Sequence, residues 1–259
     1  MNKIDRLKQI AKEAGEIVKE GYYAKKEVFH KGVVDLVTSY DVKTENFLLK
    51  ALKDCFPDYR LIGEESHHGS YLHDKAVYID PIDGTTNFIH GIPHLAISLG
   101  VWEGGEPCLA VVYNPILDEM FWAEKGKGSY CNKIPLQVSA QPILQQSLIA
   151  TGFPYAKVNQ GIEYRWAINS LAKLLPRIRD IRRLGAASLD LCYLAQGKVD
   201  AFYEIDLKPW DVAGGILILL EAGGKVTDAC NEPFAFDGKS IVASNGKVHA
   251  ALLEHLEKI

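Results

Sequence analysis

The spacing of apolar residues predicts a chain of alternating helices and strands. Apolar side chains recur at every third or fourth position from Lys3 to Tyr23, which is typical of an amphipathic helix. A second helical pattern runs from Val42 to Cys55, and Asp41 stands before it as the expected N-cap. Short β-prone runs separated by turn residues then predict a mainly antiparallel sheet: Tyr59–Ile62, Leu95–Trp102, Leu109–Tyr113, Glu119–Ala123 and a piece around Ser129.

The second half of the chain changes to strands that alternate with helical segments. Helical periodicity appears at Ile162–Leu175, Ala186–Gln196, Asp211–Ala222 and Val248–Leu256. Strand-like runs lie between them at Ser147–Ala150, Ile178–Arg183, Val199–Tyr203, Lys225–Thr227 and Ile241–Ala243. This alternation indicates an α/β layer. A polar stretch at 133–141 separates the two patterns, so we expect an N-terminal half over 1–140 and a C-terminal half over 141–259.

The most informative stretch couples a predicted strand to two carboxylates and a predicted helix start. An apolar run leads into Asp80, and Pro81, which has no N–H for a ladder, should end the strand there. Asp83 and Gly84 form a turn dipeptide, followed by Thr85 as a good first helical residue. Fixed carboxylates beside a helix N-terminus suit a hard cation and a phosphate together. A strand-end Asp and a plain turn Asp are the simpler alternative.

Two further acids stand at predicted element ends. Glu64 follows a short strand, and Asp211 precedes an apolar helix in which Gly214 and Gly215 indicate a close approach by a neighbouring segment or a ligand. A solvated turn and an N-cap are their simpler roles. If the four carboxylates converge, they can hold more than one divalent cation and support a displacement at phosphorus. Without a cation, such a cluster would repel both itself and a phosphate.

Composition and charge narrow the class of protein. The 259 residues are 47% hydrophobic and 24% charged, as in ordinary globular proteins. The formal net charge of −4 gives no electrostatic signature of nucleic-acid binding, and no apolar run is long enough to span a membrane. The N-terminus lacks the apolar core of a signal peptide. Five scattered cysteines without a Cys-x-x-Cys pair argue against zinc and disulfides, so we expect a reduced, cytoplasmic protein.

Three motifs in order resemble the signatures of the inositol monophosphatase family. They are Gly63-Glu64-Glu65-Ser66, then 80–88 (DPIDGTTNF), then 210–215 (WDVAGG). Further matches are Asp35-Leu36-Val37-Thr38 with Asp41, the Gly126-Lys127-Gly128 turn and 200–204 (DAFYE), so the resemblance covers nearly the whole chain and looks closest to bacterial members. It implies a layered α/β/α/β/α sandwich, a homodimer, Mg²⁺-dependent hydrolysis of a phosphate monoester and inhibition by Li⁺.

The resemblance also assigns roles to residues. The ligands for more than one Mg²⁺ would be Glu64, Asp80, the carbonyl of Ile82, Asp83 and Asp211, so the N-terminal half would supply most of them. The catalytic residues would be Glu64 and Thr85, which orients the attacking water with the support of Asp41. Substrate contacts would come from Asp83, Gly84, Thr85, Gly185, Ala186, Ala187, Glu204 and Asp211.

One departure bears on the substrate. The family usually has Ser or Thr after the glycine of the 185–187 turn, whereas this chain has Ala186. Inositol monophosphate is the favoured substrate; fructose bisphosphate, histidinol phosphate, phosphoadenosine phosphate and NADP are alternatives within the superfamily. Glu204 favours a polyol monophosphate because a carboxylate accepts hydrogen bonds from hydroxyls and repels a second phosphate. Alternatives of another class are a regulatory binding protein that contacts a protein partner through its surface, and a metal-binding structural protein.

Overall fold

The computed structural model describes residues 2–24, 28–30 and 36–258. Asp35 of one matched motif and part of the segment between Phe29 and Thr38 lie outside this range. Within it there are seven α-helices: α1 (Lys3–Tyr23), α2 (Ser39–Cys55), α3 (Thr85–His90), α4 (Ile162–Leu174), α5 (Ala187–Ala195), α6 (Pro209–Glu221) and α7 (His249–Leu253). None of the helices in the described ranges has the length and apolar character needed to cross a membrane.

The strands of the described residues form two large sheets and a short hairpin. The hairpin pairs β1 (Val28–His30) with β2 (Leu36–Thr38). The seven-stranded sheet contains, in spatial order, β3 (Arg60–Gly63), β4 (Lys75–Asp83), β5 (Ala96–Glu103), β6 (Glu106–Asn114), β7 (Glu119–Glu124), β8 (Ser129–Cys131) and β9 (Ile134–Pro135). Apart from the parallel pair β3–β4, it is antiparallel, as the sequence predicts.

The five-stranded sheet belongs to the second half of the chain. Its strands are β10 (Leu148–Thr151), β11 (Asp180–Arg182), β12 (Ala201–Ile205), β13 (Lys225–Thr227) and β14 (Ser240–Ser244). Their spatial order is β11-β10-β12-β14-β13, with the first two pairs parallel and the last two antiparallel. The predicted division at residue 140 falls between the two sheets and stays a prediction.

Helices and sheets stack in five layers because each sheet is apolar on both faces. Along β4, Val77 and Ile79 pack toward α1 and α2, whereas Ala76 and Tyr78 point to the opposite face. That opposite face packs against α5 and α6, which also cover the inner face of the five-stranded sheet. Helices α4 and α7 cover its outer face. This α/β/α/β/α arrangement confirms the predicted fold class, and the site described below lies where α3, α5 and α6 begin.

Two of the predicted helix caps are wrong. Helix α2 begins one turn earlier than expected, with Thr38 as the N-cap; Asp41 is its third residue and accepts hydrogen bonds from the Thr38 N–H at 2.8 Å and from the Thr38 hydroxyl. Helix α6 is capped at Lys208, whose N–H donates to Asp211 at 2.6 Å. A carboxylate three residues into a helix can reach back to the N-cap backbone, and that leaves its other oxygen available.

The predicted end of β4 at Asp80 is also wrong. The strand continues to Asp83, and its pairing with β5 shifts between Asp80, which pairs with Ser98, and Asp83, which pairs with Ala96. Pro81 lies inside this irregularity, where a missing N–H disrupts no regular ladder bond. The bulge keeps both carboxylates on the rigid sheet rather than on a loop.

Candidate active site

One cavity collects the residues that the motifs predict. It lies between the two sheets, at the C-terminal end of β4 and the N-termini of α5 and α6. Ten residues of the predicted site and the carbonyl-bearing Ile82 line it: Glu64, Asp80, Ile82, Asp83, Gly84, Thr85, Gly185, Ala186, Ala187, Glu204 and Asp211. Asp41 stands behind Thr85. The structure therefore brings the whole predicted set together, although the set comes from segments far apart in sequence.

Hydrogen bonds fix the backbone of Glu64 and the carboxylates of Asp80 and Asp83. The N–H of Glu64 donates to the carbonyl of Ile79 at 3.1 Å, which ties the end of β3 to β4. Asp80 Oδ1 accepts from the Ile82 N–H at 3.0 Å. Asp83 Oδ2 accepts from both the N–H and the hydroxyl of Ser188, at 2.7 and 2.5 Å. The contacts of Asp80 and Asp83 hold each carboxylate in one orientation, which limits which oxygen can face a ligand; the Glu64 contact fixes only its backbone.

Burial and mutual repulsion raise the pKa values of the acidic cluster. Burial is the largest effect on the pKa of Asp80 and raises it well above the usual range, and the charges of Glu64, Asp83, Asp211 and Asp41 raise it further. Burial and the neighbouring acids likewise raise the pKa of Asp211 well above its usual range. An anionic cluster of this kind is unfavourable unless a cation neutralises it.

The donor set fits a hard divalent cation. The cluster offers carboxylate and carbonyl oxygens, which are the donors that Mg²⁺ prefers. Among the described residues that line the cavity there is no cysteine or histidine. No group of three acidic, histidine or cysteine side chains in the described part of the chain forms a coordination shell by itself. Mg²⁺ sites commonly use one or two carboxylates and complete their shell with water and substrate phosphate. The open, acid-lined cavity suits that mode of binding.

Asp41 and Thr85 form a hydrogen-bonded pair beside the cluster. Asp41 is fully buried, and its Oδ1 lies 3.1 Å from the hydroxyl of Thr85. The same hydroxyl lies 3.1 Å from the carbonyl of Ile82. Since a hydroxyl has one proton and here has two acceptors, its own lone pairs remain available to a group in the cavity. Thr85 can therefore accept a hydrogen bond from a water molecule placed there.

Glu204 and the 185–187 turn form the opposite wall. Glu204 is buried, with its carboxyl group where a Cβ on Gly152 would stand, and burial raises its pKa to about 8. The group is thus largely protonated at neutral pH, so the predicted repulsion of a second phosphate by Glu204 is weaker than the sequence implied. Ala186 is buried beside Gly84, and the hydroxyl of the nearby Ser188 donates a hydrogen bond to Asp83.

Several residues of the cavity were missed at the sequence level. Lys157 and Arg183 line it, and the sequence places Arg183 at the end of the strand-like run Ile178–Arg183, without a role in the site. Asp190 also lines it, buried next to Asp83, with burial raising its pKa well above the usual range. His94 Nε2 lies 3.4 Å from Asp190 Oδ1. None of these residues was assigned to the site from the sequence; Lys157 comes from the 155–159 turn, Arg183 from the residue after β11, and Asp190 from α5.

Comparisons with known proteins agree with this geometry. A model of the inositol monophosphatase family matches residues 2–259. The chain is 41% identical to inositol monophosphatase 3 of Solanum lycopersicum, over 98% of this chain and 96% of that protein. It is 38% identical to Nus factor SuhB of Salmonella typhimurium, over 95% of this chain and 92% of that protein.

A solved structure gives the same result for the fold. The extragenic suppressor protein suhB from Bartonella henselae superposes with a TM-score of 0.90 and 36% sequence identity, over 99% of this chain and 98% of that chain. Matches of this extent in sequence, in structure and in the order of the site motifs have one explanation. The chain belongs to the inositol monophosphatase family.

Proposed function

We propose that this protein hydrolyses inositol monophosphate to inositol and phosphate with the help of more than one Mg²⁺ ion. Family membership makes the chain a phosphate monoester hydrolase that uses metal ions; the choice of Mg²⁺, the substrate and the residue roles are the parts proposed here. The observation that carries the proposal is the convergence of Glu64, Asp80, Asp83 and Asp211 on one cavity that also contains Thr85.

The metal ligands of the proposal are Glu64, Asp80, the Ile82 carbonyl, Asp83 and Asp211. Bound Mg²⁺ would supply Lewis-acid chemistry: it would lower the pKa of water and neutralise charge on the phosphate and on the leaving oxygen. The buried acids contribute a dense negative potential that favours the cation over a neutral occupant. With the leaving oxygen stabilised in this way, the site needs no strong general acid.

Thr85, Asp41 and Glu64 are the proposed catalytic residues. The Thr85 hydroxyl is held by Asp41 and the Ile82 carbonyl, so its lone pair accepts a hydrogen bond from the attacking water and directs the water's own lone pair at phosphorus. Glu64, which directly follows β3, is the proposed acceptor of the proton that the water loses.

The substrate is held between the start of α3 and the 185–187 turn. The first N–H groups of α3, beginning with those of Gly84 and Thr85, have no partner within the helix and suit phosphate oxygens. Glu204 and Asp211 exchange hydrogen bonds with hydroxyls of the alcohol part, helped by Asp83 and by the backbone of the 185–187 turn. Ala186 contributes only apolar contact, so the backbone of that turn must do what a side-chain hydroxyl does elsewhere.

The assay that tests this proposal measures phosphate release from a panel of esters. The panel contains inositol monophosphates, fructose bisphosphate, histidinol phosphate, phosphoadenosine phosphate and NADP, each with Mg²⁺, with EDTA and with Li⁺. We expect Mg²⁺-dependent, Li⁺-inhibited release that is fastest from an inositol monophosphate. Preference for another ester would correct the substrate and keep the site; no release from any ester by the folded, Mg²⁺-loaded protein would refute the proposal.

A second candidate is a regulatory role through a protein partner. The observation that favours it is the 38% identity to a protein named Nus factor SuhB. A stoichiometric complex with a transcription protein, isolated from cell extract and unaffected by Asp80→Asn, would support this role. A partner-free homodimer with high turnover would speak against it.

Two further properties are part of the proposal. We expect a homodimer, which sedimentation equilibrium can test. We also expect the protein to act in the cytoplasm, where thiols stay reduced; all five cysteines are free in the structure, which supports this placement.

A further inference from the structure

Two cationic side chains lie in the wall of a cavity whose other charged residues are all acidic. Lys157 belongs to a short 3₁₀ turn, Tyr155–Asn159, and Arg183 follows the last residue of β11. Both line the same cavity as the metal-site acids, although they come from separate segments. Neither has a role in the reaction as described above, so their presence needs its own explanation.

The acids of the cavity form no close ion pair with these cations among the described residues. Arg182, the neighbour of Arg183, forms an ion pair with Asp180 at 2.6 Å. In contrast, neither Lys157 nor Arg183 forms an ion pair with any acidic side chain of the described residues. The guanidinium of Arg183 lies 5.9 Å from the ring of Phe153 and leans on Gly185, where a Cβ would displace it. Arg183 is exposed, and its hydrogen-bond donors have no acceptor among the described residues.

The two cations act on the alcohol side of the cavity. Both lower the pKa of Glu204 against the effect of burial, and Arg183 does the same for Asp190. The charges with the largest effects on Asp80 and Asp211 are other acids. Lys157 and Arg183 therefore flank Glu204, the proposed contact for the substrate's alcohol part, rather than the metal cluster.

We propose that Lys157 and Arg183 form a subsite for a second anionic group on the alcohol part of the substrate. The proposal rests on the phosphatase function and widens its substrate class from inositol monophosphate to phosphate esters that also carry a second phosphate or a carboxylate. An arginine offers parallel N–H donors that match either group, and a lysine adds a mobile point charge. A subsite of this kind also explains why two unpaired cations are retained a short distance from an acidic centre.

The test uses pairs of esters that differ in one anionic group. Inositol 1-phosphate is compared with inositol 1,4-bisphosphate, and glycerol 2-phosphate with 2-phosphoglycerate, so the two pairs distinguish a phosphate from a carboxylate. The enzymes are the Mg²⁺-loaded wild type, Lys157→Met, Arg183→Gln and the double variant. Arg182→Gln is the matched control, because Arg182 is exposed, paired with Asp180 and outside the cavity.

The expected result is a change in KM confined to one member of at least one pair. Loss of a charged hydrogen bond should raise KM for the doubly anionic ester roughly tenfold or more in Arg183→Gln, with the double variant affected most. Its neutral counterpart should change much less, and Arg182→Gln should resemble the wild type with all four esters. Greater salt sensitivity of KM for the doubly anionic esters would support the same conclusion.

Two outcomes would overturn the subsite. If KM changes by the same factor for both members of each pair, the cations attract the phosphate that both esters share and do not bind a second anionic group. If no variant changes any KM, they have no contact with the substrate. Failure of the phosphatase function looks different, since no ester would then release phosphate; calorimetric titration with fructose 6-phosphate and with fructose would still show whether Arg183→Gln removes binding of an anion.

Discussion

Ser188 is a buried residue whose replacement tests how the fold prepares Asp83. Its side chain is fully buried at the start of α5, and its N–H and hydroxyl both donate to Asp83 Oδ2, at 2.7 and 2.5 Å. Burial raises the pKa of Asp83, whereas these two bonds lower it. The bonds therefore favour the ionised carboxylate that a metal ion requires. Ser188→Ala deletes one of the two without adding volume.

The size of the effect follows from the type of bond. A hydrogen bond to a charged group contributes about 1.5–3 kcal/mol, and because the backbone donor remains we expect the lower end of that range. About 1.4 kcal/mol corresponds to a tenfold change in an equilibrium constant, so Mg²⁺ should bind roughly tenfold more weakly. The loss should be largest at low pH, where protons compete with the metal for Asp83, and should shrink as the pH rises.

Titration calorimetry with Mg²⁺ between pH 6 and pH 8.5 measures this directly, without a substrate. Ser129→Ala is the matched control, because Ser129 is also buried but its hydroxyl has no hydrogen-bond partner in the described part of the chain. The control should bind Mg²⁺ as the wild type does. Equal affinities for Ser188→Ala and the wild type at pH 6 would refute the reasoning, and a loss that does not diminish at high pH would refute its link to protonation.

Four further outcomes are expected. Asp41→Asn keeps the size of the side chain but can accept hydrogen bonds with one oxygen only, whereas both oxygens of Asp41 accept them. We expect kcat, measured by steady-state kinetics, to fall about a hundredfold. We also expect the stability measured by urea unfolding to fall by about 1 kcal/mol, because the helix cap is weakened. Gly152→Ala places a Cβ where the Glu204 carboxyl lies, so KM for inositol monophosphate should rise while Gly161→Ala, outside the cavity, leaves it unchanged. Burial lowers the pKa of His249 to about 4, below its unfolded value of 6.5. The folded protein therefore favours the neutral imidazole, and about 2 kcal/mol of folding stability should be lost as the pH falls from 6.5 toward 4. The stability of His249→Gln, measured by unfolding curves, should not show this decrease. The buried acids of the cavity have raised pKa values, so in EDTA their contribution to folding stability is lost as the pH rises above 4. Added Mg²⁺ binds the ionised acids, so the rise in melting temperature that it causes should grow between pH 5 and pH 8 rather than stay constant.

The sequence alone predicted the elements well where one periodicity dominated. Helix α1 has the predicted bounds, Lys3–Tyr23, because its apolar residues face one side along its whole length. The helix starts at Asp41 and Asp211 were misplaced for a common reason. In each case the acid caps the helix from its third position, and the cap itself is Thr38 in one helix and Lys208, an unusual cap, in the other. Local propensity favours an acidic residue as the N-cap itself. It cannot detect that the side chain of the third helical residue accepts a hydrogen bond from the N–H of the N-cap.

The motifs predicted the acidic residues of the site but not the other residues that line the cavity around them. Glu64, Asp80 and Asp211 lie in signatures that resemble a known family, so their roles as metal ligands were predicted and remain to be measured. Lys157 and Arg183 lie outside those three signatures, and both line the cavity because β10 lies beside β11 in the second sheet while the 155–159 turn follows β10. Contacts made by sheet order across a chain are not encoded in local spacing, so these residues could not be predicted.

The acidic cavity is an unfavourable element that the surrounding core has to support. Asp80 and Asp211 are buried among like charges, which opposes folding until a cation binds. Helix α6, which carries Asp211 in its first turn, compensates through close packing: its apolar side chains are buried between the two sheets, Gly215 lets α5 approach, and Gly100 of β5 makes room for Ala213. A Cβ at Gly215 would meet Leu191 of α5 at 2.7 Å, so these glycines bring the helix carrying Asp211 close to both of its neighbours. The rigidity that positions the ligands and the stability that offsets their repulsion therefore come from the same helix.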